Sequence, residues 1–478
     1  MAAAPSTSNF NGYKASIIFG LLALSLFLGV AASQTIVKTL PGYSGQLPFT
    51  LETGYVSVGD TDDVQLFYYF VESQRTPAED PLMLWLTGGP GCSTLLAFFY
   101  ESGPLAITYA DYNGSLPSLH LNPYTWTEGL NIIYLDQPVG TGFSYSTTSE
   151  GYATGDIRSA ALTYEFLRKW MNNHLQYKTN QFYVGGDSYS GITVPLIIQE
   201  ILDGNSSFLE SISNSVGYVL GNPKTDTDID DNSRYPFAHR LTLIPEELYK
   251  AAEESCDGDF VNVDSSNQAC EADLQTIEEL IREINLQQVL EPVCSMTSPK
   301  PDYVNWDRRS LRELSSDLLL SRPKGPAFWC RNYNHVLAGI WANDESVQAA
   351  LNITEGTITT WKMCNSSLSY TEDFSSVISY HANFTKRDLR ALIYSGDHDM
   401  SIPHIGTREW ILSLNMTLMD SWRPWYVNAQ VAGYTEEYSS DDYVLTFVIV
   451  KGAGHIAAEY KQEESSAMIN RWFAYYPM

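Results

Sequence analysis

A serine in a tight turn between a strand-like and a helix-like segment is the first feature that suggests chemistry. Ser188 lies in the stretch GDSYSG, which follows the apolar run Phe182–Val184 and precedes the helix-like segment Ile192–Ile198. Such a nucleophile elbow strains the serine and lifts its hydroxyl above the sheet. Small residues must flank it because strand and helix pass close together there, and Gly186 and Ser190 meet that need. Alone, the turn is equally compatible with a plain loop.

A serine hydroxyl is a poor nucleophile and needs a base, which in turn needs an acid to orient it. In hydrolase-fold chains the order is serine, acid, histidine, with acid and histidine each on a loop after a strand. Asp397 follows the strand-like run Leu392–Tyr394, and His455 follows the run Tyr443–Val450 and a glycine-rich turn. The sequence therefore predicts that His455 removes the Ser188 proton and that Asp397 fixes the tautomer of His455.

Acyl transfer also needs backbone N–H groups that stabilise the oxyanion. One such donor should be the N–H of Tyr189, directly after the nucleophile, and the other should come from an early glycine-rich turn after a strand. The stretch 85–93 (WLTGGPGCS) meets that description. All four parts of an acyl-transfer site therefore occur in the expected order.

The composition excludes some classes of function. The chain has 478 residues, 44% of them hydrophobic, and a formal net charge of -28. Nucleic-acid binding is not expected, because phosphate contact requires clustered Lys and Arg. The six cysteines show no CxxC spacing, so we expect no metal site and no cofactor. Six cysteines allow about 15 pairings, among which the sequence does not choose, and buried free thiols are the alternative.

The amino-terminal segment 1–33 reads as a secretory signal peptide. An apolar core at 17–30 is short for a membrane span, and the small residues at 31–33 suit cleavage before Gln34, although an uncleaved anchor is the alternative. We expect no stable membrane anchor after cleavage, and delivery to the vacuole or the extracellular space. Six Asn-x-Ser/Thr sequons agree with that route. They begin at Asn113, Asn205, Asn352, Asn365, Asn383 and Asn415.

Short apolar runs alternate with helical patterns along the chain and indicate an α/β class with a mostly parallel sheet. From about 225 to 342 the strands disappear and helical periodicity dominates, as in 272–290. We interpret 225–342 as a helical cap inserted into one domain that spans 34–478. Within it, the polar segment at about 295–324 reads as a protease-sensitive linker or as an ordinary surface loop.

Several motifs together resemble the plant serine carboxypeptidase-like family, from about Leu40 to the carboxyl terminus. They include the turn GGPGCS at 88–93, DQPVGTGFSY at 136–145, the Ser188 elbow and GAGH at 452–455. The stretches NPYTW at 122–126, GNP at 221–223 and SGDHD at 395–399 belong to the same set. Together these motifs are highly specific.

The resemblance implies an α/β-hydrolase fold and a triad of Ser188, Asp397 and His455. It also implies that the N–H groups of Gly89 and Tyr189 stabilise the oxyanion. The disulfides that it implies are Cys92–Cys364, Cys256–Cys270 and Cys294–Cys330. Some relatives lose a linker in the insertion, and the segment at about 295–324 is where that would occur here.

Two departures from the peptidase pattern affect the expected substrate. In the peptidases, Asn begins the glycine-rich turn and Glu precedes the nucleophile; with a second Glu, here Glu101, they bind the substrate's carboxylate. This chain has Thr87 and Asp187 at those positions, a pair that resembles the acyltransferase branch. A site built around a hydrogen bond discriminates strongly when the bonding partner changes.

The leading hypothesis is an acyltransferase that moves an acyl group from a 1-O-glucose ester to a specialised-metabolite acceptor. The alternative is a serine carboxypeptidase that acts on peptides at acidic pH. A third hypothesis is a binding or storage protein that has the same fold but no catalytic activity. The expected partners are thus a small-molecule acyl donor and acceptor, or a peptide. The sequence leaves the oligomeric state open.

Overall fold

A computed structural model describes residues 1, 34–109, 112–204, 216–293 and 331–478 of the chain. The predicted signal peptide, apart from Met1, and the predicted linker at about 295–324 lie outside the described residues. Within those described ranges, no helix combines the length and the apolar character needed to cross a bilayer.

A mixed sheet, parallel through its middle, forms the centre of the molecule. The strands are β1 (Thr35–Val37), β2 (Leu51–Val58), β3 (Val64–Val71), β4 (Leu82–Leu86), β5 (Leu105–Ile107), β6 (Leu119–Leu121), β7 (Asn131–Leu135), β8 (Tyr145–Ser146), β9 (Thr154–Gly155), β10 (Phe182–Asp187), β11 (Val216–Gly221), β12 (Tyr370–Thr371), β13 (Arg390–Gly396), β14 (Thr417–Val427), β15 (Gln430–Ser440) and β16 (Tyr443–Val450). The large sheet has the order β1-β2-β3-β7-β4-β10-β11-β13-β16-β15-β14, and β8 pairs with β3. Neighbouring strands from β7 through β16 in this order are parallel, whereas the pairs toward both edges are antiparallel.

Helices flank the sheet. The α-helices are α1 (Asp156–Asn173), α2 (Ser190–Asp203), α3 (Thr227–Asn232), α4 (Arg234–Arg240), α5 (Glu246–Ser255), α6 (Gln268–Ile281), α7 (Arg331–Ala342), α8 (Glu345–Ala350), α9 (Ile378–Phe384), α10 (His404–Ser413), α11 (Ala457–Tyr460) and α12 (Gln462–Phe473). In the described part of the chain, α3 to α6 follow β11 in sequence, within the predicted insertion. A single π-helical turn, Ala97–Glu101, follows the early glycine-rich turn.

Side chains of the central strands alternate between two apolar layers, one on each face of the sheet. In β4, Leu82, Leu84 and Leu86 belong to the layer that also contains residues of α1 and α2. Met83 and Trp85 face the opposite layer, which includes residues of α7 and α12. Because successive residues of a strand point to opposite faces, a strand that is apolar throughout must be covered on both sides. This is the reason why the continuous apolar runs of the sequence indicate buried parallel strands.

Two parts of the chain differ from the sequence-based expectation. The helical pattern at 272–290 yields α6 only as far as Ile281, and at 286–289 the backbone hydrogen-bonds to loops of the main domain. The strands β14 and β15 form a long antiparallel hairpin at the sheet edge, which the sequence analysis did not identify. Residues of β14 are largely exposed and the pairing contains bulges, so the pattern lacks the continuous apolar character of the central strands.

Candidate active site

Ser188 occupies the sharp turn between β10 and α2. Its φ of 55° lies in the left-handed region, which a serine adopts only where the surrounding structure enforces it. A Cβ on Gly186 would lie 2.6 Å from the Cβ of Ser190 and 2.7 Å from the carbonyl oxygen of Leu86. A larger residue at Gly186 would therefore push the strand and the helix apart. The turn thus has the strained geometry expected of a nucleophile elbow.

His455 lies against the hydroxyl of Ser188. Its Nε2 is 2.7 Å from Ser188 Oγ, and its Nδ1 is 2.8 Å from Oδ2 of Asp399. The ring is only 6% exposed, and Asp399 is fully buried. A carboxylate at Nδ1 favours the tautomer that has its proton on Nδ1, which leaves Nε2 free to accept a proton from the serine. Hydroxyl, imidazole and carboxylate therefore form one hydrogen-bonded line.

The prediction that Asp397 orients His455 is wrong, because Asp399 holds that position. Asp397 Oδ1 instead accepts a hydrogen bond of 2.6 Å from the N–H of Gly452 and lies 2.8 Å from Nδ1 of His398. Asp397 therefore ties the turn after β13 to the turn after β16. The physical reason is the length of the turn: the chain needs two more residues beyond Asp397 before a carboxylate reaches the imidazole.

Asn222, directly after β11, holds Asp399 in place. Its Nδ2 donates to Asp399 Oδ2 at 2.8 Å, and its Oδ1 accepts from the N–H of Gly396 at 3.3 Å. The N–H of Ser401 donates to the other carboxylate oxygen, Oδ1, at 2.8 Å. In the sequence, the stretch 221–223 is only one of the family motifs. Its signal was a polar residue at the carboxyl end of a central strand, where sites of open α/β sheets form.

The early glycine-rich turn approaches the elbow so closely that only glycine fits. A Cβ on Gly88 would lie 2.7 Å both from the Cβ of Ser188 and from the backbone nitrogen of Tyr189. Gly89, the next residue, has a φ of 121°. The two segments that carry the expected oxyanion donors, Gly89 and Tyr189, therefore lie side by side. Cys92, at the end of the same turn, forms the disulfide with Cys364.

Beside the serine lies a group of buried polar side chains that have few protein partners. Asp187 accepts a hydrogen bond of 3.1 Å from the N–H of Gly88 through Oδ1. Glu101, 1% exposed, has no partner for either carboxyl oxygen in the described part of the chain, and the same holds for the hydroxyl of Thr87, 5% exposed. Unpaired buried polar groups are rare in native proteins and call for an explanation such as a ligand.

Burial also changes the protonation of this group. It raises the pKa of Asp187 to about 6, although the charge of His455 and the N–H of Gly88 act in the opposite direction. Burial, reinforced by the negative charges of Asp187 and Glu459, raises the pKa of Glu101 well above 4.5. Burial therefore favours the neutral carboxylic acid form of Glu101, and Asp187 titrates at about pH 6.

The imidazole of His455 responds to two opposing influences. Burial alone would lower its pKa, but the carboxylates of Asp399 and Asp187 outweigh burial and raise the pKa above 6.5. Asp399 both attracts the imidazolium and hydrogen-bonds to it. The site therefore stabilises the protonated histidine that forms when a serine gives up its proton.

Comparison with known proteins identifies the family of this chain. The serine carboxypeptidase family model matches residues 41–475. The chain belongs to the serine carboxypeptidase family. Among the relatives of this family member are serine carboxypeptidase-like 13 and serine carboxypeptidase-like 7 of Arabidopsis thaliana. They are 44% and 43% identical over 462 and 469 residues, which covers 96% and 98% of this chain and 99% and 100% of those proteins.

A solved structure of another carboxypeptidase has the same fold as this chain. KEX1(DELTA)P, a prohormone-processing carboxypeptidase from Saccharomyces cerevisiae, superposes with a TM-score of 0.72 at 19% sequence identity. The match covers 93% of this chain and 97% of that one. The fold is therefore the α/β-hydrolase fold, as the sequence motifs imply.

Two of the three expected disulfides are present, Cys92–Cys364 and Cys256–Cys270. Both cysteines of the third, Cys294 and Cys330, lie outside the described residues. In the described ranges, no group of three or more His, Cys, Asp or Glu side chains is arranged to hold a metal ion.

The sequons differ in their accessibility. Asn113, Asn352, Asn383 and Asn415 are at least partly exposed, and Asn205 lies outside the described residues. Asn365 is half-buried, and its Nδ2 donates to the carbonyl oxygen of Gly140 at 2.9 Å. Glycosylation stays a prediction at all six positions.

Proposed function

We propose that this protein is an acyltransferase that moves an acyl group from a 1-O-glucose ester to a specialised-metabolite acceptor. The observation that carries the proposal is the hydrogen-bonded line of Ser188, His455 and Asp399 beside three under-partnered polar side chains. Membership of the serine carboxypeptidase family supports the serine-based chemistry. The two departures at Thr87 and Asp187 support a sugar ester as the donor.

In the first half of the reaction, the hydroxyl oxygen of Ser188 attacks the ester carbonyl while His455 takes the hydroxyl proton. The N–H groups of Gly89 and Tyr189 stabilise the oxyanion. The bond between the acyl carbon and O1 of glucose then breaks, and His455 gives its proton to that oxygen. Glucose leaves, and the acyl group remains as an ester of Ser188.

In the second half, the acceptor hydroxyl or amine takes the place of glucose. His455 removes its proton, the acceptor attacks the acyl-enzyme, and Ser188 recovers its proton as it leaves. Transfer prevails over hydrolysis only if the acceptor is held in a better orientation than water.

Hydrogen-bond complementarity supports the glucose ester. A sugar hydroxyl both donates and accepts, whereas the carboxylate of a peptide only accepts. The hydroxyl of Thr87 and the protonated form of Glu101, which burial favours, can each donate and accept, and the carboxylate of Asp187 accepts only. Above about pH 6 the charge of Asp187 repels a substrate carboxylate and attracts a sugar hydroxyl. This set of side chains therefore suits a polyol.

The second candidate is the acidic-pH serine carboxypeptidase. The pKa values of Asp187 and Glu101 are both raised, so at low pH both carboxyl groups are neutral donors that could hold a peptide carboxylate. This alternative predicts peptide hydrolysis below about pH 6 that declines as Asp187 ionises.

The deciding experiment offers purified protein both classes of substrate. Glucose esters with acceptor alcohols and amines are compared with blocked dipeptides between about pH 4.5 and pH 8, a range that spans the titration of Asp187. We expect transfer products, detected by mass, that are absent from the Ser188→Ala control. Rapid peptide hydrolysis without any transfer product would overturn the proposal, and failure of wild-type Ser188 to react with a fluorophosphonate would favour the binding or storage protein without catalytic activity.

A second arm tests the two specificity positions directly. Thr87→Asn combined with Asp187→Glu restores the residue types of the peptidase pattern. We expect this variant to lose transfer from glucose esters more strongly than it loses reactivity toward the fluorophosphonate, which makes no use of the sugar-binding groups. An unchanged transfer rate would remove Thr87 and Asp187 from the specificity argument.

We further propose that the protein works in the secretory pathway, in the vacuole or outside the cell. The predicted signal peptide supports this location.

A further inference from the structure

A short segment of the inserted region, Leu286–Glu291, joins the two loops that carry the histidine and the acid. We call it the bridging segment. The carbonyl oxygen of Leu286 accepts from the N–H of Met400 at 2.8 Å, next to Asp399. The carbonyl oxygen of Gln287 accepts from the N–H of His455 at 2.7 Å. The segment therefore bonds to both loops within two consecutive residues.

The side chain of Gln288 extends this contact. It is 3% exposed, and its Nε2 donates to the carbonyl oxygen of Gly452 at 3.2 Å. Its Oε1 accepts from the N–H of Leu290 at 3.3 Å, which fixes the orientation of the amide. The neighbouring Val289 donates its N–H to the carbonyl oxygen of His398 at 3.2 Å. Gln288 thus holds the turn before His455 from one side.

The contact is too close for a side chain at Gly454. A Cβ there would lie 2.2 Å from the carbonyl oxygen of Gln287 and 2.9 Å from the Cβ of Gln288. The turn before His455 therefore needs glycine at this position because the bridging segment passes over it. The bridging segment and the turn before His455 are therefore in close backbone contact, although they are far apart in sequence.

An ion-pair cluster anchors the far end of the bridging segment. Arg331, at the start of α7, pairs with Glu291 at 2.8 Å and lies 3.5 Å from the carboxylate of Glu459. The same carboxylate lies 3.2 Å from Nε2 of His335. Glu459 comes four residues after His455, in α11, so the cluster connects the bridging segment to the chain on the other side of the histidine.

We propose that the bridging segment positions His455 against Ser188 and that Gln288 is a positioning residue for the acyl-transfer chemistry. This inference rests on the proposed role of the triad. The loops after β13 and β16 bond to each other through the N–H of Gly452 and Asp397 and through the N–H of His398 and the carbonyl oxygen of Ala453, and the bridging segment is a third part of the chain that bonds to both. A displacement of about 1 Å in a catalytic group can cost about 100-fold in rate. This region between β11 and α7 would therefore support catalysis directly.

Gln288→Glu tests the proposal, with Gln268→Glu as the control. Both variants introduce one carboxyl group, but the side chain of Gln268 is exposed at the start of α6 and lies outside the bridging segment. In the Gln288→Glu variant, an ionised carboxylate cannot donate to the carbonyl oxygen of Gly452, whereas a protonated carboxyl group can. The titratable groups around that contact are Asp397, His398, Tyr460 and Lys461.

The readout is the rate at which a fluorophosphonate labels Ser188, measured from about pH 5 to pH 8 with circular dichroism as a check on folding. We expect Gln288→Glu to be about 10-fold slower than wild type at the upper end of this range and to recover toward wild type at the lower end. The exposed Gln268→Glu control should follow wild type throughout. Gln288→Met, which keeps the size but has no donor, should be slow at every pH.

The outcomes separate this inference from the proposed function. Absence of labelling in wild-type protein would defeat the proposed function itself. Normal labelling of wild type together with wild-type rates in both Gln288→Glu and Gln288→Met would overturn only the bridging role. If Gln288→Glu does not fold, the Gln288→Met profile alone decides between these results.

Discussion

The assignment of the orienting acid leads to the sharpest prediction, because two aspartates two residues apart compete for the role. Asp399→Asn should abolish most of the reactivity of Ser188, whereas Asp397→Asn should leave most of it intact. The two substitutions are the same chemical change in the same turn. They therefore form a matched pair that differs only in which hydrogen bonds are altered.

The magnitude follows from the donors around Asp399. Oδ2 receives hydrogen bonds from His455 Nδ1 and Asn222 Nδ2, and Oδ1 receives one from the N–H of Ser401. An amide has only one oxygen, so its NH2 group must face a donor in either orientation. If the NH2 group faces His455, the imidazole takes the other tautomer and Nε2 can no longer accept the proton of Ser188.

If the NH2 group faces Ser401 instead, an unpaired buried donor costs about 1–3 kcal/mol. The negative charge that stabilises the imidazolium is lost in both orientations. Loss of the corresponding carboxylate in a serine protease lowers kcat about 10⁴-fold, equivalent to about 5 kcal/mol, and we expect a loss of that order for Asp399→Asn.

Asp397→Asn keeps its main contact. The amide oxygen can still accept from the N–H of Gly452, and only the charge beside His398 disappears. We therefore expect a loss of less than about 10-fold.

Fluorophosphonate labelling of Ser188 is the appropriate assay, since it requires no knowledge of the natural substrate. Both variants must first show wild-type circular dichroism and thermal unfolding. An Asp397→Asn variant slower than Asp399→Asn, both being folded, would refute the assignment of Asp399 and return the role to Asp397.

Two further predictions concern stability. Burial raises the pKa of Asp230 to about 7. The folded state therefore binds more protons than the unfolded state between about pH 4 and pH 7, and the contribution of Asp230 to the free energy of unfolding falls as the pH rises through that range. Asp230→Asn should therefore reduce the loss of stability between about pH 5 and pH 8 by up to about 3 kcal/mol, measured by urea unfolding at both values; an unchanged difference would contradict the raised pKa. Replacing the disulfide Cys256–Cys270, whose cysteines are 14 residues apart, by two serines should lower the free energy of unfolding by about 3 kcal/mol, and a change near zero would argue that the helices of the insertion hold that loop without it.

Much of the fold and part of the candidate site could be predicted from the sequence because their signals are local. The run Leu82–Leu86 is apolar on both faces, and the structure buries all of its side chains in the two layers. The elbow at Ser188 is equally local, since small residues at Gly186 and Ser190 are necessary wherever a strand turns so sharply into a helix. Such features require only the neighbouring residues for their interpretation.

The choice between Asp397 and Asp399 could not be made in this way. Both residues follow the same strand, and the sequence contains no sign of how the turn folds. The choice depends on Asn222 and Gly452, which follow the ends of two other strands. Asn222 donates a hydrogen bond to Asp399, and the N–H of Gly452 donates one to Asp397. Only the assembled sheet places these partners, so the acid that contacts His455 is a property of the tertiary structure.

The contacts of the bridging segment are even harder to predict from the sequence than the choice of the acid. A helical pattern at 272–290 is visible in the sequence, yet the chain leaves the helix after Ile281, and at 286–289 its backbone bonds to the loops of the site. These hydrogen bonds involve mainly backbone groups, which every residue possesses, so no residue type reveals them. The one side-chain signal is Gln288, a buried amide in a largely exposed stretch, and its meaning becomes clear only beside Gly452. The predicted cap therefore contributes hydrogen bonds that help to fix the position of His455. Its residues should be mutated together with the triad whenever the chemistry is tested.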